Sequence, residues 1–290
     1  MGHRKHSQPR RGSLAYLPRG RAKSMEARIR TWPEITSEEP KLLGYAGFKV
    51  GCIQIVSIDD REKTPNHGKQ LVSLGTVVAT PPISVIGIRG YYEDINGSHA
   101  LFDVYSNDMP KEVSRLFTLK PQEGSLERAE KMLNRTSELF AVVAVLPNNA
   151  GISQKKPYVF EVAVKGGDLK KQFDFVKSLF GKQVKIEEVF ELGSSVDVAS
   201  ITKGKGWEGP ITRWGVKKKQ HKSRKSVRAL GTLGPISPSS IMYTVPRAGQ
   251  RGFHQRVEYN KRIMIMSNTE KQDFKINPAG GYKDRKSTRL

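Results

Sequence analysis

The sequence predicts a mainly β fold, interrupted by an α/β insertion and carrying long basic extensions at its N-terminus and inside the chain. Three observations point there. Short alternating or continuous apolar runs bounded by turn formers recur between residues 44 and 266, the pattern of β-strands. Helical spacing of apolar residues is confined to the stretch 84–192. And the formal charge of this 290-residue chain, +22 from 50 Lys+Arg against 28 Asp+Glu, is concentrated in two segments without apolar periodicity. A hydrophobic fraction of 37% is modest, yet far above that of a disordered polycation, so part of the chain folds.

Residues 1–43 form the first extension. Ser7-Gln8-Pro9-Arg10-Arg11-Gly12-Ser13-Leu14 and Pro18-Arg19-Gly20-Arg21 mix turn formers with guanidinium groups, so this arm is expected to be extended and solvated until a partner orders it. Residues 44–58 end in an alternation that reads as a strand, with Cys52 as a small core residue. Residues 70–79 and 83–92, parted by Thr80-Pro81-Pro82, are two further strands, and 100–106 another. Asp108 is placed to cap a helical segment with Pro110 in its first turn, and Leu126, Ala129, Met132 and Leu133 line one face of the next helix. Leu139 to Leu146 and Tyr158 to Val164 continue the strands. The clearest helix begins at Asp168, carries Leu169, Phe173, Val176 and Phe180 on one side and stops at Gly181. Strands return at Val196 to Thr202 and Val257 to Met266, so the second basic segment is slung between two strands.

Counting charge by segment sharpens the partner. Residues 1–30 hold nine Lys/Arg and one acid; residues 204–256 hold twelve and one; residues 84–192 hold fifteen of each. Two basic arms therefore flank a neutral body. In the second arm, Lys203-Gly204-Lys205-Gly206-Trp207, Arg213-Trp214-Gly215 and Lys217-Lys218-Lys219-Gln220-His221-Lys222-Ser223-Arg224-Lys225 interleave cations, glycine and two of the three tryptophans. Rings beside cations suit stacking on bases or ribose while the cations take phosphates. The expected partner is nucleic acid, contacted by Arg10, Arg11, Arg19, Arg21 and Lys23 of the first arm. Contacts expected from the second are Lys203, Lys205, Trp207, Arg213, Trp214, Lys217, Lys218, Lys219, His221, Lys222, Arg224, Lys225, Arg228 and Arg247. Membrane-surface binding would require an amphipathic helix, which neither arm shows.

Other classes fall away on composition and spacing. One cysteine, Cys52, excludes an intrachain disulfide and a cysteine-based metal cluster and fits a reducing cytoplasm. The longest apolar run, Leu139 to Pro147, is far short of the ~20 residues of a membrane helix. The start lacks the apolar segment of a secretory signal, so a cytoplasmic location is expected. Six histidines, at 3, 6, 67, 99, 221 and 254, have no metal-ligand spacing. Residues 203–206 lack the GxxxxGK[ST] spacing of a phosphate loop, and Trp207-Glu208-Gly209-Pro210 stands where its helix should follow; there is no GxSxG elbow and no GxGxxG that opens a helix after a strand. No enzyme, cofactor or small-molecule substrate is expected. The rival readings are an RNA-modifying enzyme with its catalytic group in the neutral body, and a free nucleic-acid-binding protein.

Four motifs in order, His6-Ser7-Gln8-Pro9-Arg10-Arg11-Gly12-Ser13-Leu14, Gly44-Tyr45-Ala46-Gly47-Phe48-Lys49-Val50-Gly51, Thr202-Lys203-Gly204-Lys205-Gly206-Trp207 and Ala248-Gly249-Gln250-Arg251-Gly252-Phe253-His254-Gln255-Arg256, closely resemble the universal large-subunit ribosomal protein three family in its archaeal form. The resemblance implies a structural protein that binds large-subunit rRNA beside neighbouring ribosomal proteins, supports subunit assembly and sends a basic loop toward the peptidyl-transferase centre. It also implies a six-stranded translation-protein-type β-barrel built from 44–83, 193–203 and 257–283, the insertion at 84–192 and the internal extension at 204–256. By position, Lys203 and Lys205 match the family's glycine–lysine loop, Arg213 and Trp214 the following turn, and Gln250, Arg251, His254 and Arg256 the returning limb, which adds the last four to the RNA contacts. Departures are Cys52 for a usual methionine and Leu233 where eukaryotic members carry tryptophan. Asp284 to Leu290 matches the translation of a sequencing-library adapter, so the expectation is a non-native tail at 284–290 and a longer natural protein.

Overall fold

The computed structural model describes residues 9–118, 124–223 and 225–267. They fall into two compact units. One takes the chain up to Ile29 together with Val196–Lys261, and the other takes Arg30–Ser195 and the residues from Arg262.

The second of these, the sheet unit, contains β1 (Lys41–Leu42), β2 (Phe48–Ile58), β3 (Gln70–Ala79), β4 (Ile83–Asp94), β5 (Gly97–Tyr105), α1 (Ser125–Met132), β6 (Glu138–Val145), β7 (Tyr158–Lys165), α2 (Leu169–Ser178) and β8 (Gln183–Val184). An antiparallel sheet runs in the order β1-β7-β6-β4-β5, with β8 paired to the start of β4. Residues 83–88 of β4 are all buried, because this strand has apolar layers on both sides. Ile83, Val85 and Ile88 face Phe173 and Val176 of α2, Ala129 of α1 and Leu133 just beyond it. Ile86 joins Val142, Ala144 and Val113 on the opposite face.

Strict alternation would put Ile88 with Ile86. A bulge prevents it: the register steps from Val85↔Val143 to Gly87↔Val142, leaving Ile86 as the extra residue and reversing the facing of the strand beyond it. Gly87 is required there, since a Cβ would stand 2.6 Å from the Val104 carbonyl oxygen. At the other end of the unit's entry loop, the Tyr45 hydroxyl donates to the Pro81 carbonyl (2.9 Å) with the Val184 carbonyl 3.0 Å away, and burial pushes the phenol up to about 12.

Several sequence expectations change in detail. Asp108 caps nothing; its N–H donates to Ser106 Oγ (3.1 Å), and Pro110 precedes a 3-10 turn, Lys111–Arg115, that buries Val113. Met132 is exposed while Ala129 and Leu133 fill the core. Asp168 holds the N-cap position of α2, but its side chain makes no capping bond. Gly181 adopts φ 71° after the helix end, as a terminating glycine does.

In the basic unit are β9 (Ser195–Ile201), β10 (Trp207–Glu208), α3 (Pro210–Trp214), β11 (Gly249–Gln250) and β12 (Gln255–Arg262). The protein is thus mainly β with few helices. Outside the six-stranded sheet, the described strands form three two-stranded ladders, β2–β3, β9–β12 and β10–β11, and no closed barrel. The β2–β3 ladder leaves Val56, Ile58, Val72 and Leu74 on an exposed face, and Cys52 is half-buried rather than core. The expected barrel segment 257–283 lies partly, and the expected tail 284–290 wholly, outside the described residues.

The loop closing the β2–β3 hairpin is organised by one carboxylate. Asp59, buried, accepts from Arg61 Nε and Nη2 (both 2.8 Å) and from the Arg61 N–H (3.1 Å), while its own carbonyl takes the Gly68 N–H (2.9 Å). The Arg61 guanidinium holds the carboxyl well below the usual range. A group so depressed stabilises at pH above the ordinary carboxylate value of about 3.9 and loses its effect only as pH falls through the lowered value. Amide exchange is expected to show Gly68 protected down through pH about 4 in the natural chain, and unprotected already at neutral pH in Asp59→Asn. In the core, Phe173→Ala is expected to cost about 3–5 kcal/mol, read as a lower urea midpoint of the full chain.

Candidate nucleic-acid interface

The chain leaves β9 at Ile201 and returns at Gln255, and between these points the two limbs are laced together. Thr202 N–H donates to the His254 carbonyl (2.9 Å) and Phe253 N–H to the Thr202 carbonyl (3.0 Å). Lys205 N–H donates to the Arg251 carbonyl and Arg251 N–H to the Gly206 carbonyl, both at 2.9 Å, before β10 pairs with β11 through Trp207↔Gln250. Gly252 makes this approach possible. Its φ is +76°, and a Cβ would lie 2.1 Å from the Lys203 carbonyl oxygen.

Beyond the ladder, Pro210 opens and Gly215 ends the single turn α3, the latter at φ 70° with its N–H on the Ile211 carbonyl. The turn presents Trp214 inward. Its ring is buried, its Nε1–H donates to the Arg247 carbonyl (3.0 Å), and Gly12 packs against its face so closely that a Cβ would be 2.4 Å away. The Arg19 guanidinium lies 3.8 Å from the Trp214 ring centroid.

The N-terminal arm is bound along this base rather than left free. Arg19 Nη1 donates to the Arg213 carbonyl (3.1 Å) and Nη2 to the Ser13 carbonyl (3.0 Å). Arg213 donates Nε to the Gln250 carbonyl (3.0 Å), Nη1 to the Arg247 carbonyl (3.1 Å) and Nη2 to the Arg19 carbonyl (3.4 Å). Ala22 N–H reaches the Phe253 carbonyl (2.8 Å), and His254 Nδ1 lies 2.8 Å from the Gly20 carbonyl. Arg10 Nη2 donates to the Thr244 carbonyl, and Arg256 stacks over Tyr16 at 4.3 Å. Burial lowers the pKa of Arg19, helped by the nearby Arg213 and Arg256 charges, and burial lowers that of Arg213.

The candidate contacts therefore divide. Arg19, Arg213, Trp214 and His254 turn their side chains to protein; the stacking partner expected for Trp214 is supplied by Arg19 and Gly12. Gln250 is likewise engaged, its Nε2 donating to the Gly252 carbonyl (3.1 Å). Lys203, Lys205, Trp207, Lys217, Lys218, His221, Lys222, Lys225, Arg228 and Arg247 are exposed, as are Arg10, Arg11, Arg21 and Lys23 on the first arm. Trp207 is 78% exposed, a large ring held in water on the limb that carries Lys203 and Lys205. Lys219, Arg251 and Arg256 are half-buried, and Arg224 lies outside the described residues. Sequence reasoning missed the seam between the arms. Its signal was the turn itself: a tryptophan between a helix-opening proline and a helix-ending glycine belongs to a packed turn more than to a solvated charge run.

Among the described residues no group of His, Cys, Asp and Glu is arranged to hold a metal ion, and no helix is long and apolar enough to cross a membrane. The comparison with known proteins is decided by one match: the profile of the family described as ribosomal protein L3 aligns with residues 1–286. The chain belongs to the ribosomal protein L3 family. Archaeal relatives named large ribosomal subunit protein uL3 agree. The one from Methanococcoides burtonii is 41% identical over 289 residues, covering 97% of this chain and 83% of the relative. That of Caldivirga maquilingensis is 40% identical, covering 98% and 83%, and that of Methanococcus vannielii 38%, covering 96% and 83%. L3 is a family of ribosomal structural proteins and not of enzymes.

For this L3-family chain, Gly252→Ala is expected to open the ladder between the limbs while leaving the sheet unit folded. Limited proteolysis of the variant should cut within 202–215 at least about tenfold faster than in the natural chain, with the fragment from the sheet unit equally resistant in both.

Proposed function

We propose that this chain is a constituent of the large ribosomal subunit that binds large-subunit rRNA through its basic unit, supports subunit assembly and reaches with the loop 215–248 toward the peptidyl-transferase centre. The observation that carries the reading is the combination of exposed Lys203 and Lys205 with the water-facing Trp207 on the outgoing limb, joined by the exposed cations of the loop beyond the ladder and of the first arm, over a base whose arginines are already engaged by protein carbonyls. Cations positioned on a rigid ladder neutralise phosphates without first having to be ordered, and an aromatic face beside them takes a base or a ribose. Lys203, Lys205, Trp207, Arg10, Arg11, Arg21, Lys23 and the exposed cations of 217–228, with Arg247, are the direct contacts; Arg19, Arg213, Trp214, Gln250 and His254 hold them in place. The location is the cytoplasmic ribosome, where neighbouring large-subunit proteins are the other partners.

The division of the chain follows the same reading: a barrel body from 44–83, 193–203 and the strand from 257, an insertion at 84–192, and two extensions. What supports the barrel is the pair of antiparallel ladders, β2–β3 and β9–β12, each with apolar side chains left exposed (Val56, Ile58, Val72 and Leu74 on one, Val198, Val257 and Tyr259 on the other) as inward-facing barrel strands carry before closure.

Binding of the full chain to large-subunit rRNA is expected to fall steeply with salt, at about −0.9 in log–log slope per duplex phosphate neutralised. Lys203→Ala with Lys205→Ala should reduce the magnitude of that slope by about two and weaken binding to all rRNA fragments alike. A flat salt dependence would sink the proposal.

A further inference from the structure

The basic character of the chain has one conspicuous gap. Residues 90–110 hold no Lys or Arg, the longest such run in the sequence, and four acids, Glu93, Asp94, Asp103 and Asp108. The structure puts the first two of them on a projection. β4 stays paired with β6 only as far as Tyr91↔Glu138, whereas the β4–β5 hairpin continues through Tyr92↔His99, Glu93↔Ser98 and Asp94↔Gly97. Among the described strands, the last three pairs thus have no third strand beside them. The finger is internally firm. Gly97 takes φ +111° to close the turn, and the Tyr92 and His99 rings lie against each other, tilted by 32° with centroids 5.5 Å apart.

At its apex stands Ile95, 100% exposed. Turn positions of this kind are ordinarily filled by Gly, Asn, Asp or Ser, and a β-branched apolar side chain wholly in water contributes nothing to the fold it sits on. One exposed apolar residue alone is ordinary. An apolar apex on a stiffened projection, flanked by exposed Glu93 and Asp94 in a segment purged of cations, is a docking shape. The charge selects the partner class: two carboxylates repel a phosphate backbone and attract Lys and Arg.

We infer that residues 92–99 form a protein-docking finger that seats Ile95 in an apolar pocket ringed by Lys and Arg on a neighbouring protein of the assembled subunit. This rests on the reading that the chain is built into the large subunit. The finger serves the opposite purpose to the basic unit: it picks out a protein surface among a majority of RNA surfaces, because RNA offers the same two acids only repulsion.

The test places a photo-reactive benzoylphenylalanine at position 95 of the full chain, isolates large subunits by sedimentation and irradiates them. A cross-link to a protein, through a peptide with Lys or Arg flanking apolar residues, is the expected result. Glu93→Lys with Asp94→Lys should cut its yield at least about tenfold while the chain still sediments with the subunit. Cross-linking to rRNA, or no cross-link from a chain that sediments with subunits, would overturn the inference and leave the proposed function standing. A natural chain absent from the sedimented subunits would overturn both.

Discussion

Donation from guanidinium groups to carbonyl oxygens is the interaction on which the basic unit depends. The sequence up to residue 29 together with 196–261 holds 22 Lys/Arg against four Asp/Glu, so ion pairs cannot be what fastens the two arms. Arg19 and Arg213 solve this by exchanging donors with each other's carbonyls and with those of Ser13, Arg247 and Gln250. Hydrogen bonds to a charged group contribute about 1.5–3 kcal/mol each, and Arg19 adds a cation–π contact with Trp214. Against them stand the burial of the Arg19 guanidinium and, after it, the repulsion from Arg213 and Arg256, which together lower the pKa of Arg19. A lysine in place of either arginine would keep the charge and lose the fork of donors that makes it useful.

The placement of the exposed cations depends on that seam. With the base closed, the limbs 202–208 and 249–254 run as one antiparallel ladder, and Lys203, Lys205 and Trp207 project from it at fixed spacing. Gly12 and Gly252 are points in this unit where the chain approaches so closely that no side chain fits, one against the Trp214 ring and one against a backbone carbonyl. The arms are thus less like tails than like a folded stem with a long loop at its end.

Much of this was legible in the sequence because charge and periodicity are local properties. The segregation of cations, the strands around 48–58, 70–79, 139–145 and 158–165 and the helix after Asp168 can be read from composition and spacing over a few residues. What was not legible depends on who the neighbour is. Trp207 and Trp214 stand seven residues apart in similar company; the proline and glycine around the second hint at a packed turn, but what it packs against, Gly12 and Arg19, lies some two hundred residues away. The bulge at Ile86 reverses the facing of half a strand, yet Gly87 is its sole trace in the sequence. The alternation of β2 announces an apolar face without saying what covers it, which is why closure of a barrel could not be read from the pattern alone.

The contrast between the tryptophans makes the chain its own fluorimeter. Trp32 packs edge-on against Phe140, Trp214 is enclosed beneath Arg19, and Trp207 alone is largely in water. Red-edge emission therefore belongs to one indole, and that indole sits on the limb that carries Lys203 and Lys205. Quenching by a soluble collider reports the state of that surface, while the emission that survives the quencher reports the integrity of the stem and the sheet, so occupancy and folding can be followed in one sample without a label.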